Sequence, residues 1–208
     1  MKKGILSTVL TVLVLSLVLV GCSSDPKVTR VSAEEQIDLS GYWNDSDVRI
    51  VCDSMVSECL ASASVSRKIT EFEIKQGRIP AVIVGTFKNT SDEHIDVSVI
   101  SKRLETALLN SGKVDFVASK EEQAELREEK EAQQSWASEE TAKALANETG
   151  ADLMMIGSVK AVVDQISGKA VRNYFVYAEM IDIETGKKLW IGENSDVKKY
   201  IKYPSSKF

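Results

Sequence analysis

The seven residues after Pro80, Ala81-Val82-Ile83-Val84-Gly85-Thr86-Phe87, constrain this chain more than any others. An unbroken apolar run rich in β-branched residues predicts a central strand, covered on both faces. Helical periods flank it. Val48, Val51, Cys52, Met55, Val56, Cys59 and Leu60 recur at helical spacing and form one continuous face. Asn44 is the expected N-cap, which puts Trp43 and Val48 at the positions of a hydrophobic staple. A second helix is expected from about Ser64 to Gln76, with Val65, Ile69 and Phe72 on its face and Gly77 as its stop.

Beyond the strand, Asp96 is the expected N-cap of a third helix whose buried face is Val97, Ile100, Leu104 and Leu108. Ile95 and Ile100 repeat the staple, and Gly112 is the expected C′ residue. Val114 to Val117 reads as a short strand. Lys120 to Glu131 is a charged helical stretch, and Gln133 to Trp136 reads as irregular or loosely helical. Ser138 is the expected N-cap of a helix running to about Thr149. The last third is all β: Asp152–Val163, Val171–Ile183 and Lys188–Val197, with Ser167-Gly168 and Thr185-Gly186 as turns. Strands joined so tightly must be antiparallel. The tail, Lys199 to Pro204, reads as a strand end or a frayed terminus. The expected class is α/β (α+β): a mixed sheet with a C-terminal antiparallel meander, packed by helices.

The N-terminus has a different logic. Lys2 and Lys3 precede an apolar run, Ile5 to Val20, that ends in Leu19-Val20-Gly21-Cys22-Ser23-Ser24. A basic start, an apolar middle and small residues at the exit describe an export signal. The run is about 16 residues, short of the roughly 20 a spanning helix needs. Its Leu-x-Gly-Cys ending resembles the lipobox of bacterial lipoproteins, in which the Cys is lipidated and becomes the first residue. Residues 1–21 are therefore expected to be removed, and Cys22 to carry acyl chains sufficient to anchor a soluble domain. Ser23 to Gly41 is polar and aperiodic and reads as a tether. Residues 42–208 read as a single globular domain.

The 208 residues carry a formal charge of −5, and removal of Lys2 and Lys3 makes the remainder more acidic. That balance argues against nucleic acid and against flat docking on anionic lipid. Besides Cys22 there are two cysteines. Cys52 and Cys59 in one helix would stand about 10.5 Å apart along its axis, too far to bridge, so both read as core residues. The glutamates between Glu121 and Glu131 alternate with Arg127 and Lys130 and read as a solvated face rather than a cation site. His94 is the single histidine, which rules out a His-rich metal site. It reads as a loop residue before the third helix. No nucleophile elbow or phosphate-cradling loop is present. Gly85 and Gly157 read as close-packing positions within strands. No cofactor, small-molecule substrate or enzymatic activity is expected.

Several segments together resemble one family: Trp43-Asn44-Asp45; Val82-Ile83-Val84-Gly85; Asn89, Ser91 and Glu93-His94-Ile95-Asp96; Leu108-Leu109-Asn110-Ser111-Gly112; Gln133-Gln134; Thr149-Gly150-Ala151-Asp152; and Asp182 to Gly186 with Leu189-Trp190. In this order, and with the lipobox, they are similar to the LpoB-type lipoproteins, activators of bifunctional penicillin-binding proteins. The resemblance spans about residues 42–197. It implies a small domain similar to the N-terminal domain of TolB, and an outer-membrane lipoprotein facing the periplasm. It also implies allosteric activation of a class A penicillin-binding protein by a monomer that does no chemistry itself. Ser23 and Ser24 agree with outer-membrane sorting. Candidate partner contacts are Asn89, Ser91, Glu93 and His94 in one loop, and Gln133, Gln134 and Trp136 in another segment. The family's best-known members carry a long Pro-rich tether, whereas a relaxed chain of about 19 residues spans roughly 25 Å. That difference keeps a second role in view, a structural lipoprotein that assembles with other outer-membrane proteins.

Overall fold

A computed structural model describes residues 28–134 and 150–204, except the side chains of residues 120, 121 and 130–134. The expected helix after Ser138, Trp136, Cys22 and the N-terminal apolar run lie outside the described residues. The compact unit begins at Gln36. Among the described residues its helices are α1 (Asp45–Ala61), α2 (Ala63–Gln76), α3 (Val97–Asn110) and α4 (Lys120–Gln134). Its strands are β1 (Ala81–Asn89), β2 (Asp115–Phe116), β3 (Leu153–Ile166), β4 (Lys169–Asp182), β5 (Lys188–Asn194) and β6 (Lys198–Lys202). None of these helices is long and apolar enough to cross a membrane.

The chain makes one mixed sheet in the order β2-β1-β3-β4-β5, with β6 also paired to β4. β2-β1-β3 is parallel, and the rest is antiparallel. The meander follows from its turns: Gly168 and Gly186 have φ of +74° and +68°, the left-handed region that glycine adopts without strain. The charged tail is a true strand. Gln133 and Gln134, expected as irregular or loosely helical, continue α4. The physical reason is propensity: Glu131-Ala132-Gln133-Gln134 contains no residue that stops a helix.

The core lies between one face of the sheet and α1, α2 and α3. It joins Val51, Met55 and Cys59 of α1 and Ile100, Leu104 and Leu108 of α3 to Val82, Leu153, Met155, Val176 and Met180 of the strands. Asn44 caps α1 reciprocally: its side chain accepts from Asp47 N–H at 3.2 Å, and its own N–H donates to Asp47 Oδ2 at 2.9 Å. Cys52 and Cys59 are both free and fully buried. Burial pushes both thiols up to about 12, so they are protonated and unreactive at neutral pH.

β1 is an interior strand, but its alternation breaks. Val84 pairs with Met155 and Phe87 with Gly157, so β1 carries one extra residue between them. This bulge turns Phe87 inward, in phase with Val82, and leaves Thr86 exposed. A Cβ on Gly157 would collide with the Phe87 ring and with the carbonyl oxygen of Tyr177. The glycine is therefore required by the ring that the bulge delivers. On the opposite side of β1, Ile83 and Gly85 are half-buried.

Two ion pairs tie α2 and the segment after it to the sheet. Arg78 holds Asp152 with two hydrogen bonds of 2.6 and 2.9 Å, and Asp152 also accepts from Ala81 N–H at 2.8 Å. Lys68 pairs with the buried Asp182 at 2.8 Å. Lys68 and Arg78 both lie over the Phe72 ring, each 5.2 Å from its centroid. The Arg78 guanidinium holds the Asp152 carboxyl below its ordinary value of 3.8. The stabilisation is therefore complete above about pH 4 and is lost as pH falls through the depressed folded-state value. Asp152→Asn should be less stable than wild type at pH 7 by urea unfolding, and the gap should close as pH drops below about 4.

Candidate functional site

The candidate loop grows out of the end of β1. Asn89, the last residue of the strand, sends its side-chain N–H back to the Glu93 carbonyl at 2.6 Å and accepts from Ser91 N–H at 2.9 Å and Ser91 Oγ at 2.6 Å. Ser91 Oγ in turn accepts from Glu93 N–H at 3.2 Å. These are the short-range polar bonds that Asn and Ser offer in place of strand pairing. They fold residues 89–93 back and drive Glu93 inward, its side chain 7 % exposed. Asp92 and His94 stay on the outside. Ile95 is buried, and Asp96 caps α3 by accepting from Ser98 N–H at 3.0 Å.

Glu93 meets three groups from distant parts of the chain. Arg172 of β4 pairs with it and with Asp92, the latter at 3.0 Å. The Tyr174 hydroxyl donates to Glu93 Oε1 at 2.5 Å, and Trp43 N–H donates to Oε2 at 3.1 Å. Burial and the neighbouring Glu93 carboxylate push the Tyr174 phenol far up, so it remains a donor. The Trp43 and Tyr174 rings meet edge to face at 5.1 Å, and the Arg172 guanidinium lies over the Tyr42 ring at 5.1 Å.

Directly across the ladder from Arg172 stands Lys199 of β6. It pairs with Asp47 at 2.6 Å and Asp38 at 2.8 Å and donates to the Tyr42 carbonyl at 2.8 Å. Asp47 is buried, and that burial raises its carboxyl above the ordinary value despite the lysine. Asp38 also accepts from the Asn44 side chain at 2.8 Å. Two cations on adjacent strands, their side chains each only 10 % exposed, are thus answered by carboxylates from two different parts of the chain.

The loop residues Asn89, Ser91, Glu93 and His94 are brought together, with the polar groups of the first three used inside the fold. Gln133 and Gln134 end α4, and Trp136 lies outside the described residues. Sequence reasoning missed Arg172, Tyr174 and Lys199. A signal was available: Arg172 sits between Ala170 and Tyr174, on the inward-pointing alternate positions of β4. A cation there requires a buried partner. Among the described residues no cluster of His, Cys, Asp and Glu could hold a metal.

Arg172→Met should cost about 3–5 kcal/mol, because it leaves the Glu93 carboxylate buried without its cation. The double variant Arg172→Met with Glu93→Gln should recover a measurable part of that loss in urea unfolding.

No curated protein matches the chain. Among solved structures, the C-terminal domain of LpoB from Escherichia coli matches at 16% identity and a TM-score of 0.40, covering 71% of this chain and 96% of that one. The NMR structure of E. coli LpoB matches at 14% identity and a TM-score of 0.41, covering 86% and 84%. Lipoprotein GNA1162 from Neisseria meningitidis matches at 17% identity and a TM-score of 0.36, covering 58% and 83%. The family model described as peptidoglycan-synthase activator LpoB matches residues 47–195, from the capped start of α1 through β5, and the chain belongs to that family.

Proposed function

We propose that this chain is a lipoprotein anchored through acyl chains on Cys22 to the periplasmic face of the outer membrane. There it binds a class A penicillin-binding protein and favours its active state. The observation that carries this reading is the family match across nearly the whole folded unit. The chain itself performs no step of glycan synthesis. Activation without chemistry requires that the domain bind the active state of the synthase better than the inactive one. The loop Asn89–His94 is one contact, with Asp92 and His94 facing outward and Asn89, Ser91 and Glu93 fixing its shape. Gln133, Gln134 and Trp136 are assigned to a second contact.

A specific observation favours a second reading. Asp38 is held by Lys199 and Asn44, so the tether ends several residues before Tyr42. Residues 23–37, fully extended, span at most about 50 Å. A short reach suits a partner at the outer membrane, and in that reading the chain is a structural envelope lipoprotein.

Two measurements test the proposal. The full mature lipoprotein, added in detergent to the host's class A synthase, should accelerate consumption of lipid-linked precursor and raise cross-linking saturably. No binding and no change of rate with any class A synthase of the host would overturn the activator reading and leave the envelope-assembly role. Cells given radiolabelled palmitate should label the wild-type chain and leave Cys22→Ala unlabelled.

A further inference from the structure

β3 and β4 are each 14 residues long and run on beyond the helical layer. Pairing of β1 with β3 stops at Asn89 opposite Val159, while β4 continues with β6 from Lys169 to Asn173. The result is a three-stranded extension of β3, β4 and β6. Alternation sends Ala170, Arg172 and Tyr174 to the helix side, where all three are buried. The other face carries the partners of the intervening positions. Val162, Ile166 and Tyr200 on it are 51%, 67% and 63% exposed; Val171, opposite Tyr200, and Phe175, opposite Lys160, are half-buried, with Asn173 between them on β4. An apolar strip with this much exposure, on a strand face that no described helix covers, is a surface awaiting contact.

Its border is cationic. Lys160, Lys169, Lys198 and Lys202 sit on the same alternate positions of the three strands and are exposed. Lys169 and Lys202 stand directly opposite one another across the β4–β6 ladder. Like charges there are unfavourable. Elsewhere in the fold, facing cations are answered by carboxylates, as Arg172 and Lys199 are. These four lysines have no carboxylate within ion-pair distance among the described residues, and the one acid on the face, Asp164, is paired with none of them. This concentration of positive charge stands out in a chain whose net charge is −5.

We infer that this lysine-rimmed face of the β3-β4-β6 extension is a docking surface for an acidic protein surface with an apolar centre. Resting on the activator reading above, that partner is the synthase. An apolar centre within a polar rim is the anatomy of a protein interface, and the uncompensated lysines specify the partner's sign. An anionic membrane would meet the same lysines but would also meet the acidic remainder of the chain.

The test uses the mature lipoprotein and the class A synthase it activates. Lys169→Glu with Lys202→Glu should weaken binding at least tenfold and remove most of the salt dependence of the wild-type association. Ile166→Asp should weaken binding to a similar degree. The unfolding midpoints should not fall, since no described ion pair is broken and Ile166 is exposed. If the wild type binds and activates while these variants bind equally well at every salt concentration, the docking surface is overturned and the activator reading stands. If the wild type binds no class A synthase, the activator reading falls and the surface assignment falls with it. Two further results would also overturn the assignment. One is loss of binding to vesicles of phosphatidylethanolamine and phosphatidylglycerol in the same variants with synthase binding intact. The other is concentration-dependent self-association of the wild type that those variants abolish.

Discussion

Arg172 and Lys199, opposed across the β4–β6 ladder, set the terms for much of this structure. Two cations facing each other in adjacent strands repel, and both side chains are only 10 % exposed. They are held there by four carboxylates. Glu93 and Asp92 come from the loop after β1, Asp47 from the first turn of α1, and Asp38 from the segment that leads into it. The same contacts therefore seat β6, shape the 89–94 loop and fix where the N-terminal segment joins the domain. Burying such charges is costly unless every partner is in place, which makes the arrangement specific: three distant pieces of chain must arrive together.

Much of the local structure was legible from residues with one dominant physical role. Asn44 and Asp96 cap their helices, Gly77 ends α2 in the left-handed region, and Gly168 and Gly186 make the two tight turns. Cys52 and Cys59 lie on the helical face that the apolar period marks. What escaped depends on partners far along the chain. Glu93 and Arg172 are 79 residues apart, and nothing local to either names the other. The bulge in β1 follows from the need to bring Phe87 over Gly157, a contact between strands that a reading of β1 alone does not contain. The tail was ambiguous because Lys198 to Lys202 becomes a strand only through β4.

The loop residues singled out from sequence turn out to have two kinds of work. Asn89, Ser91 and Glu93 spend their polar groups on the loop and on Arg172, while His94 points outward; their neighbour Asp92, which was not singled out, is exposed and also pairs with Arg172. The lysine-rimmed face was not visible from composition, because the chain is acidic overall and the four lysines come from three strands. Strand alternation alone separates them from Arg172 and Lys199, which point to the opposite face and are both paired with carboxylates. One extension thus carries carboxylate-paired cations on its inner side and, on its outer side, lysines with no carboxylate partner among the described residues.

The most direct measurement is hydrogen–deuterium exchange of the mature chain alone and with the class A synthase proposed as its partner. The account predicts that binding slows exchange in 160–173 and 198–203, while the interiors of α1 and α3 are unchanged. Unaltered exchange across the β3-β4-β6 extension, with protection confined to other surfaces of a bound domain, would contradict it.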